Sequence, residues 1–495
     1  MPDARSLYLR RPATLALAPL MAVLLTVTAQ AGEQPVDLRG EAAPAATGQP
    51  YTARNLPDRI VLVPGADPTS EMAVTWRTDM AAGETLAELA ELVPAPNFGL
   101  RAQEVRGTQT ATLSENGNAL YHRVRFSGLT PDRAYAYRVR GAAGFSEWHQ
   151  FRTAREDNAP FRLIYMGDTQ NSILEIGSIG WRRALLQAGN PQLMLHAGDL
   201  VASRDDMVHD DEWGEWAALG DWAIATIPQV PAAGNHEYVD LILPDGSESR
   251  RLGQHWPLMF GLPQNGAPQH EATTYYLDYQ GLRLIVLDGT SAVEMGGLEA
   301  QTEWLETRLA EAQGEWIFVL FHQPVFTCAR PNNTPLIGEA WKPLFEQYGV
   351  DLVLQGHDHC YGRLTSEAGS AAGREARAGG ALQGPVYMVS VAGAKMYGLN
   401  DRADSQPDRV AEDTSLFQVI DVTPDRLSLR AYLNTGVLYD GFDLVKMDAG
   451  NRLEELSVDL PTVRRCSGPP QAIDQPMPAD RLGPDGLPCT ADAKD

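Results

Sequence analysis

The sequence predicts an α/β protein, a layered core of strands and helices preceded by a small all-β sandwich. Residues 57–153 contain short strands of alternating apolar residues separated by Gly and Pro turns, which is typical of an antiparallel sandwich. From residue 161 onward, apolar strands alternate with helical patterns near 175–189, 210–224, 299–313 and 338–348. This alternation indicates a layered α/β core.

The first 31 residues are predicted to be a signal peptide. Arg5, Arg10 and Arg11 precede an apolar run over residues 13–28, and the small residues Ala29 and Ala31 mark a cleavage site. A retained membrane anchor is the alternative, although the run is short for a bilayer span. The mature protein is therefore expected to be secreted or periplasmic, with no membrane attachment after cleavage.

The domain organisation follows from these patterns. The signal peptide at 1–31 is followed by a linker at 32–56, rich in Ala, Pro and Gly. The sandwich occupies 57–153, and the α/β domain occupies 160–446. Residues 447–495 lose periodicity and are predicted to be a loop-like tail.

Composition and charge restrict the possible partners. Hydrophobic residues make up 44% of the 495 residues, enough for more than one buried core. The formal net charge of −24 repels polyanions, so a nucleic-acid backbone is excluded as a partner. An anionic substrate would have to be attracted by local charge, which points to metal ions rather than to a basic groove.

The polar residues that carry chemistry follow apolar strands or strand-like runs. Open α/β sheets bind ligands at the C-terminal ends of their strands, and Gly before most of these residues allows a tight turn. Carboxylate, amide and imidazole groups are suitable ligands for transition metals. Each residue alone would more often be a turn or core residue, but their combination predicts a metal site. In chain order they are Asp168, Asp199, Asn235, His322, His357 and His359.

This order resembles the calcineurin-like metallophosphoesterases, most closely their purple acid phosphatase branch, over about residues 57–445. The motifs that carry the resemblance are Gly167-Asp168, Gly198-Asp199, Gly234-Asn235-His236-Glu237, His322 and Gly356-His357-Asp358-His359. The resemblance implies that 160–446 is a catalytic domain of two mixed sheets in αββα layers. It also implies that the N-terminal sandwich is fibronectin type III-like.

The resemblance further implies two divalent transition metal ions, Mn, Zn or Fe. Asp168 and His359 would bind the first ion, and Asp199 would bridge both. His236 would be the catalytic residue that faces the substrate phosphate, and Glu237 would orient its loop. The second ion would be bound by Asn235, His322 and His357.

The sequence departs from the family pattern at two positions. Ala202 stands where purple acid phosphatases have a tyrosine, and Gln170 stands where other members have a histidine. Gln170 is therefore a tentative metal ligand. The alternative is that it only forms hydrogen bonds to the residues that bind the metal. Without the phenolate, the site is expected to be colourless and to hold divalent ions.

Four cysteines in an exported chain can form two disulfides. Cys466 and Cys489 stand alone in the tail and are expected to pair. Cys328 and Cys360 lie close to candidate His ligands, so a disulfide between them would join two metal-bearing loops. Two buried thiols or an extra thiolate ligand are the alternatives.

The predicted function is an exported phosphoesterase that hydrolyses small phosphate monoesters by attack of metal-bound hydroxide. A phosphodiesterase with the same site, and a non-enzymatic binding protein with a degenerate metal site, are the alternatives. Asn171 and Arg330, near motif ends, are expected to bind the substrate, and the inserted segment 245–278 is expected to form a rim. The oligomeric state is not predicted.

Overall fold

The computed structural model describes residues 51–312, 316–365, 381–382, 384–403, 407–448, 450–468 and 481–489. The predicted signal peptide and the predicted linker up to residue 50 lie outside the described residues. All described residues belong to one compact unit, Asp37–Asp495. Within the described ranges, no helix is long and apolar enough to span a bilayer.

The N-terminal domain consists of two four-stranded antiparallel sheets, as predicted. Its core is apolar and aromatic, with Trp76, Phe126 and Tyr137 buried between the sheets. One sheet has the order β1-β2-β6-β5 and the other β4-β3-β7-β8. The strands are β1 (Asp58–Pro64), β2 (Met72–Thr78), β3 (Leu86–Glu91), β4 (Gln103–Arg106), β5 (Thr108–Ser114), β6 (Gly117–Phe126), β7 (Ala134–Val139) and β8 (His149–Arg152).

The second domain contains two seven-stranded mixed sheets. The first has the order β11-β10-β9-β21-β22-β23-β24. Its strands are β9 (Phe161–Met166), β10 (Leu193–His196), β11 (Gln229–Pro231), β21 (Leu416–Val422), β22 (Arg426–Leu433), β23 (Leu438–Met447) and β24 (Gly450–Glu455). The neighbours β9, β10 and β11 are parallel.

The second sheet has the order β14-β15-β16-β17-β19-β18-β20, with β15, β16, β17 and β19 parallel. A separate hairpin, β12 (Tyr238–Ile242) with β13 (Glu248–Leu252), follows β11 in the chain and precedes β14. The strands of the second sheet are β14 (Tyr275–Tyr279), β15 (Leu282–Val286), β16 (Trp316–Leu320), β17 (Leu352–Gln355), β18 (Tyr361–Thr365), β19 (Val386–Val389) and β20 (Arg409–Ala411).

Helices complete the layers. Successive residues of a strand point to opposite faces of its sheet, so Phe318 packs into the core shared by both sheets while Val319 packs against α5 and α6. This arrangement confirms the predicted layered core. The helices are α1 (Ser178–Ala188), α2 (Asp211–Gly220), α3 (His255–Met259), α4 (Gly289–Glu294), α5 (Leu298–Ala310) and α6 (Pro335–Gln347).

The start of the C-terminal tail differs from the prediction. Residues 447–495 were expected to be loop-like, but β24 pairs antiparallel with β23 and extends the first sheet beyond residue 446. Gly450 has a φ of +93°, a conformation that glycine adopts without strain and that suits the tight connection between these strands. The six-residue strand is too short and too polar for its periodicity to be recognised in the sequence.

Candidate metal centre

The six candidate metal residues lie at the C-terminal ends of strands from both seven-stranded sheets. Asp168 follows β9, Asp199 follows β10 and Asn235 follows β11. These parallel strands end at the same edge, which faces the corresponding edge of the second sheet. The second sheet supplies, after β16 and β17, His322, His357 and His359.

One group of donor atoms surrounds Nε2 of His322. This nitrogen lies 3.0 Å from Oδ2 of Asp199, 3.1 Å from Oδ1 of Asn235 and 3.1 Å from Nδ1 of His357. The donor atoms of Asp199, His322 and His357 all lie within 4.8 Å of one another, close enough to hold one ion. This set matches the residues expected at the second metal position.

A second group of donor atoms shares Asp199 with the first. Ligand atoms of Asp168, Asp199 and His359 lie within 4.8 Å of one another. The side-chain nitrogen of Gln170 lies 3.2 Å from Oδ2 of Asp199 and 2.9 Å from Nε2 of His359. Asp199 is the one residue common to both groups, the position expected of a bridging carboxylate.

The histidine tautomers fit metal binding. His322 directs Nδ1 to the backbone carbonyl of Ala197 at 2.6 Å, and His359 directs Nδ1 to that of Lys395 at 2.8 Å. A carbonyl accepts a hydrogen bond from Nδ1–H, so in the neutral ring the lone pair is on Nε2. In both residues Nε2 then faces the oxygen and nitrogen atoms of neighbouring candidate ligands. A cation bound among these atoms would stabilise this arrangement.

The electrostatics also require positive charge in the site. Burial raises the pKa of Asp168 well above its ordinary value, and the charge of Asp199 adds to the rise. Burial would raise the pKa of Asp199 too, but His322 lowers it well below its ordinary value. Burial would lower the pKa of His322, but the two carboxylates raise it to about 9. A proton on His322 thus supplies charge that a metal ion would supply more strongly.

The other two imidazoles are neutral at physiological pH. Burial lowers the pKa of His357 well below its ordinary value, and Arg330 lowers it further. Burial likewise lowers the pKa of His359, with Lys395 as the second cause. Neutral imidazole is the form that binds metal ions, so no proton has to be removed from either ring.

Backbone strain is concentrated in this site. Asp168, Asp199, His357 and His359 all have φ between +41° and +71°. A non-glycine residue in this region costs about 1 to 3 kcal/mol and is most common at functional sites. Gly356 precedes His357, and a Cβ there would lie 2.3 Å from Oδ2 of Asp168, so only glycine fits.

His236 and Glu237 lie in a short turn after β11, directly beside Asn235. The backbone N–H of His236 donates to Oδ1 of Asp199 at 2.9 Å, and its Nδ1 contacts the carbonyl of Ala202. Glu237 accepts backbone N–H bonds from Asp199 at 2.9 Å, Leu200 at 2.8 Å and Gly234 at 2.6 Å. Glu237 therefore ties the turn to the loop that carries Asp199.

A cavity of about 190 Å³ opens in front of the two donor groups. Of the two residues predicted to bind substrate, Arg330 lines this cavity and Asn171 does not. Arg330 also donates from Nη1 to the carbonyl of His357 at 2.7 Å and to Oδ1 of Asp358 at 2.8 Å. Its guanidinium group thus braces the loop that carries His357.

Four cavity residues were not predicted from the sequence. Because they come from two loops, strand β13 and the end of α4, no local spacing connects them to the motifs. The inserted segment 245–278 contributes one of them, Arg250, whereas Trp256 and Tyr275 of the same segment are fully buried. The four residues are Arg204, Arg250, Glu294 and Tyr397.

Both expected disulfides are present. Cys328 is bonded to Cys360 and Cys466 to Cys489, and no free cysteine remains. The first bond joins the loop after His322 to the loop that carries His357 and His359, which excludes the alternatives of free thiols and a thiolate ligand. The carboxylate of Asp358 accepts backbone N–H groups of Cys328 and Ala329, which further fixes these loops.

Residues 161–361, which carry five strand ends of the candidate site, match the calcineurin-like phosphoesterases. Residues 57–153 match the N-terminal domain of purple acid phosphatases. The chain therefore carries a calcineurin-like phosphoesterase domain preceded by the N-terminal domain of purple acid phosphatases. The resemblance inferred from the motifs is confirmed, whereas the fibronectin-like character of the sandwich stays a prediction.

Similar proteins include one without an assigned function. An uncharacterized protein of Mycobacterium tuberculosis is 28% identical over 329 residues, 60% of this chain and 60% of the relative. The Fe(3+)-Zn(2+) purple acid phosphatase 12 of Arabidopsis thaliana is 23% identical over 321 residues, 62% of this chain and 65% of the relative. The chain thus spans less than two thirds of the length of these relatives.

A solved structure shows the same fold. The purple acid phosphatase PPD1 from yellow lupin (Lupinus luteus) seeds superposes with a TM-score of 0.64 at 19% identity. The match covers 79% of this chain and 74% of the lupin chain. The superposed part of this chain is longer than residues 161–361, the range that matches the phosphoesterase family.

Proposed function

We propose that this chain is a dinuclear-metal phosphoesterase that hydrolyses phosphate monoesters. The observation that carries the proposal is the pair of donor groups that share Asp199 and open on one cavity. One shared carboxylate between two sets of ligands suits two ions held close together. Such a pair can bind both the attacking and the leaving oxygen of a displacement at phosphorus.

The residues divide between two positions. Asp168, His359 and Gln170 would hold the first ion, with Asp199 shared. Asn235, His322 and His357 would hold the second. When bound, the ions would lower the pKa of a water molecule and neutralise charge on the phosphate. Imidazole with carboxylate and amide oxygen suits Mn, Zn or Fe.

His236 would act on the leaving group. Its Nδ1 contacts the carbonyl of Ala202, its Nε2 lies 3.9 Å from Oδ2 of Asp199, and the residue lines the cavity. Burial lowers the pKa of His236, so a proton on Nε2 is favoured only at acidic pH. We therefore expect His236 to donate to the leaving oxygen, with a contribution that grows as pH falls.

The substrate would be a small phosphorylated compound. The cavity of about 190 Å³ is small, and the net charge of −24 disfavours extended polyanions such as nucleic acid. A diester remains the alternative substrate, because the same metal site could serve both reactions.

Parallel assays of p-nitrophenyl phosphate and bis(p-nitrophenyl) phosphate with Mn, Zn and Fe test this proposal. We expect the monoester to be hydrolysed faster, and Asn235→Ala to remove nearly all activity. His236→Ala should lower kcat by about 10² to 10⁴ for an alkyl phosphate, and by less for p-nitrophenyl phosphate, which needs no proton to leave. A fully active Asn235→Ala variant would show that the site assignment is wrong.

We also propose that the protein is exported to the periplasm or the medium. Two disulfides are typical of proteins that fold in an oxidising compartment, and the first 31 residues have the charged and apolar pattern of a signal peptide. The mass of the protein recovered from its native source should correspond to a chain that begins at residue 32. A cytoplasmic chain that retains residues 1–31 would contradict export.

A further inference from the structure

Three arginines line the cavity in front of the candidate metal residues. They are Arg204, Arg250 and Arg330, and the one acidic rim residue beside them is Glu294. The chain as a whole carries 64 acidic and 40 basic residues, so this concentration of positive charge is local. The cavity therefore offers an anion positive charge from arginine side chains in addition to that of the metal site.

Two of these arginines are held by one carboxylate that lies outside the cavity lining. Oδ2 of Asp240 lies 3.0 Å from Nε of Arg204, and its Oδ1 lies 3.3 Å from Nε of Arg250. The backbone N–H of Asp240 also donates to the carbonyl of Arg204 at 2.9 Å. Asp240 thus holds both guanidinium groups on their Nε side.

Arg250 has an unused donor. Its Nε ion-pairs with Glu294 at 2.8 Å as well as with Asp240, but its Nη1 is buried without a hydrogen-bond partner among the described residues. A buried donor without an acceptor is unfavourable, so this nitrogen needs a partner such as a water molecule or a ligand. Arg330 differs because its Nη1 is already bonded to the loop of His357.

We propose that Arg204 and Arg250 form a subsite for a second anionic group of the substrate, a carboxylate or a second phosphate. This inference rests on the proposed phosphoesterase activity, because the first phosphate must bind at the metal ions. The planar guanidinium fork matches both kinds of anion through paired N–H donors. The preferred substrates are then small phosphate esters whose leaving group carries a further negative charge.

A matched series of substrates tests the subsite. 3-Hydroxypropyl phosphate carries no second anion, 3-phosphonooxypropanoate carries a carboxylate, and propane-1,3-diyl bisphosphate carries a second phosphate. Released inorganic phosphate gives kcat/KM for each. We expect at least one of the two anionic compounds to exceed the hydroxypropyl compound by about tenfold or more. The better of the two identifies the anion.

Arg250→Gln should lower this ratio of kcat/KM values about tenfold. Arg251→Gln is the matched control, because Arg251 is the exposed neighbour on β13 and its loss changes the net charge equally. The ratio is independent of how much of a variant folds. A wild-type ratio near one, or an equal loss in both variants, would overturn the subsite.

The same series separates this inference from the proposed function. Turnover of 3-hydroxypropyl phosphate without preference for the anionic compounds would overturn the subsite alone. Failure to hydrolyse every compound with Mn, Zn or Fe would overturn the phosphoesterase proposal, and the subsite with it.

Discussion

At the scale of single residues, we propose that Gln170 helps to hold the first ion. Its side-chain nitrogen lies between Asp199 and His359, while its buried Oε1 has no hydrogen-bond partner among the described residues. Rotation of the amide by half a turn exchanges these two atoms, which have nearly the same size and shape. Oε1 would then face both residues, and the oxygen could complete a metal ion's ligand set.

Gln170→Leu should therefore lower affinity at the first metal position by about 10- to 100-fold, the range expected when a group next to a metal is lost. Gln170→Glu should retain the ion, because the carboxylate keeps an oxygen at the same point. Equilibrium dialysis against Zn measures both affinities without any assay of activity. Wild-type affinity in Gln170→Leu would show that Gln170 lies outside the ligand set.

The sequence predicted those residues of the candidate site that directly follow an apolar strand. Asp168, Asp199 and His322 all follow apolar runs, so edge placement followed from the pattern. Arg204 and Arg250 were missed because Asp240, which orients both, is connected to them only by folding of the hairpin. The expectation that metal ions rather than a basic groove attract an anion did not include the three arginines that line the cavity.

At the scale of elements, disulfide Cys328–Cys360 connects the loop after β16 to the loop after β17. These loops carry histidines of both donor groups. Disulfide Cys466–Cys489 closes a loop of similar length in the tail, with a sequence separation of 23 against 32. The two bonds should therefore restrict the unfolded chain similarly but differ in their effect on the site.

Replacing both cysteines of either pair by serine should lower the free energy of unfolding by roughly 3 kcal/mol, because loop-closure entropy depends weakly on loop length. Only the Cys328 and Cys360 replacement should also weaken metal binding. Urea unfolding and dialysis against Zn measure the two effects. Equal metal affinity in both double variants would contradict a role of the first disulfide in holding the site.

The sequence predicted the helices whose apolar pattern extends over ten residues or more. The four predicted helical patterns correspond to α1, α2, α5 and α6, each of ten residues or more. The short elements α3, α4 and β24 were not predicted, because five or six residues carry too little periodicity to distinguish a helix or strand from a loop. Tertiary contacts, rather than local pattern, stabilise them.

At the scale of the whole molecule, a buried ion cluster connects the sandwich to the phosphoesterase domain. Asp210 precedes α2 and accepts hydrogen bonds from Arg59 of β1 at 2.5 and 2.8 Å and from Arg77 of β2 at 3.1 Å. All three side chains are buried. Removing one member of a buried cluster leaves the other charges without compensation.

Asp210→Asn should lower the free energy of unfolding by about 3 to 5 kcal/mol at pH 7. Burial would raise the pKa of Asp210, but His255 and Arg59 lower it below its ordinary value. The carboxylate is therefore protonated at a lower pH in the folded state than in the unfolded chain. Its stabilisation is therefore present above about pH 4 and is lost as pH falls further. Urea midpoints of wild type and variant should converge below that pH.

Asp132→Asn is the control for this prediction. Asp132 pairs with Arg152 at 2.7 Å and Arg155 at 2.9 Å, but these side chains are exposed. An exposed pair contributes about 0 to 1 kcal/mol, so this variant should be almost as stable as wild type. A loss as large as that of Asp210→Asn would show that burial of the interdomain cluster is not the cause.

We propose that one shared carboxylate, Asp199, joins two metal positions. Mn or Zn titrated into metal-stripped protein, with bound metal counted by mass spectrometry and monoester hydrolysis followed in parallel, tests it most directly. We expect saturation at two ions per chain, with full activity only when both are bound, and loss of both ions in Asp199→Ala. Saturation at one ion with full activity, or no specific binding, would contradict the dinuclear site.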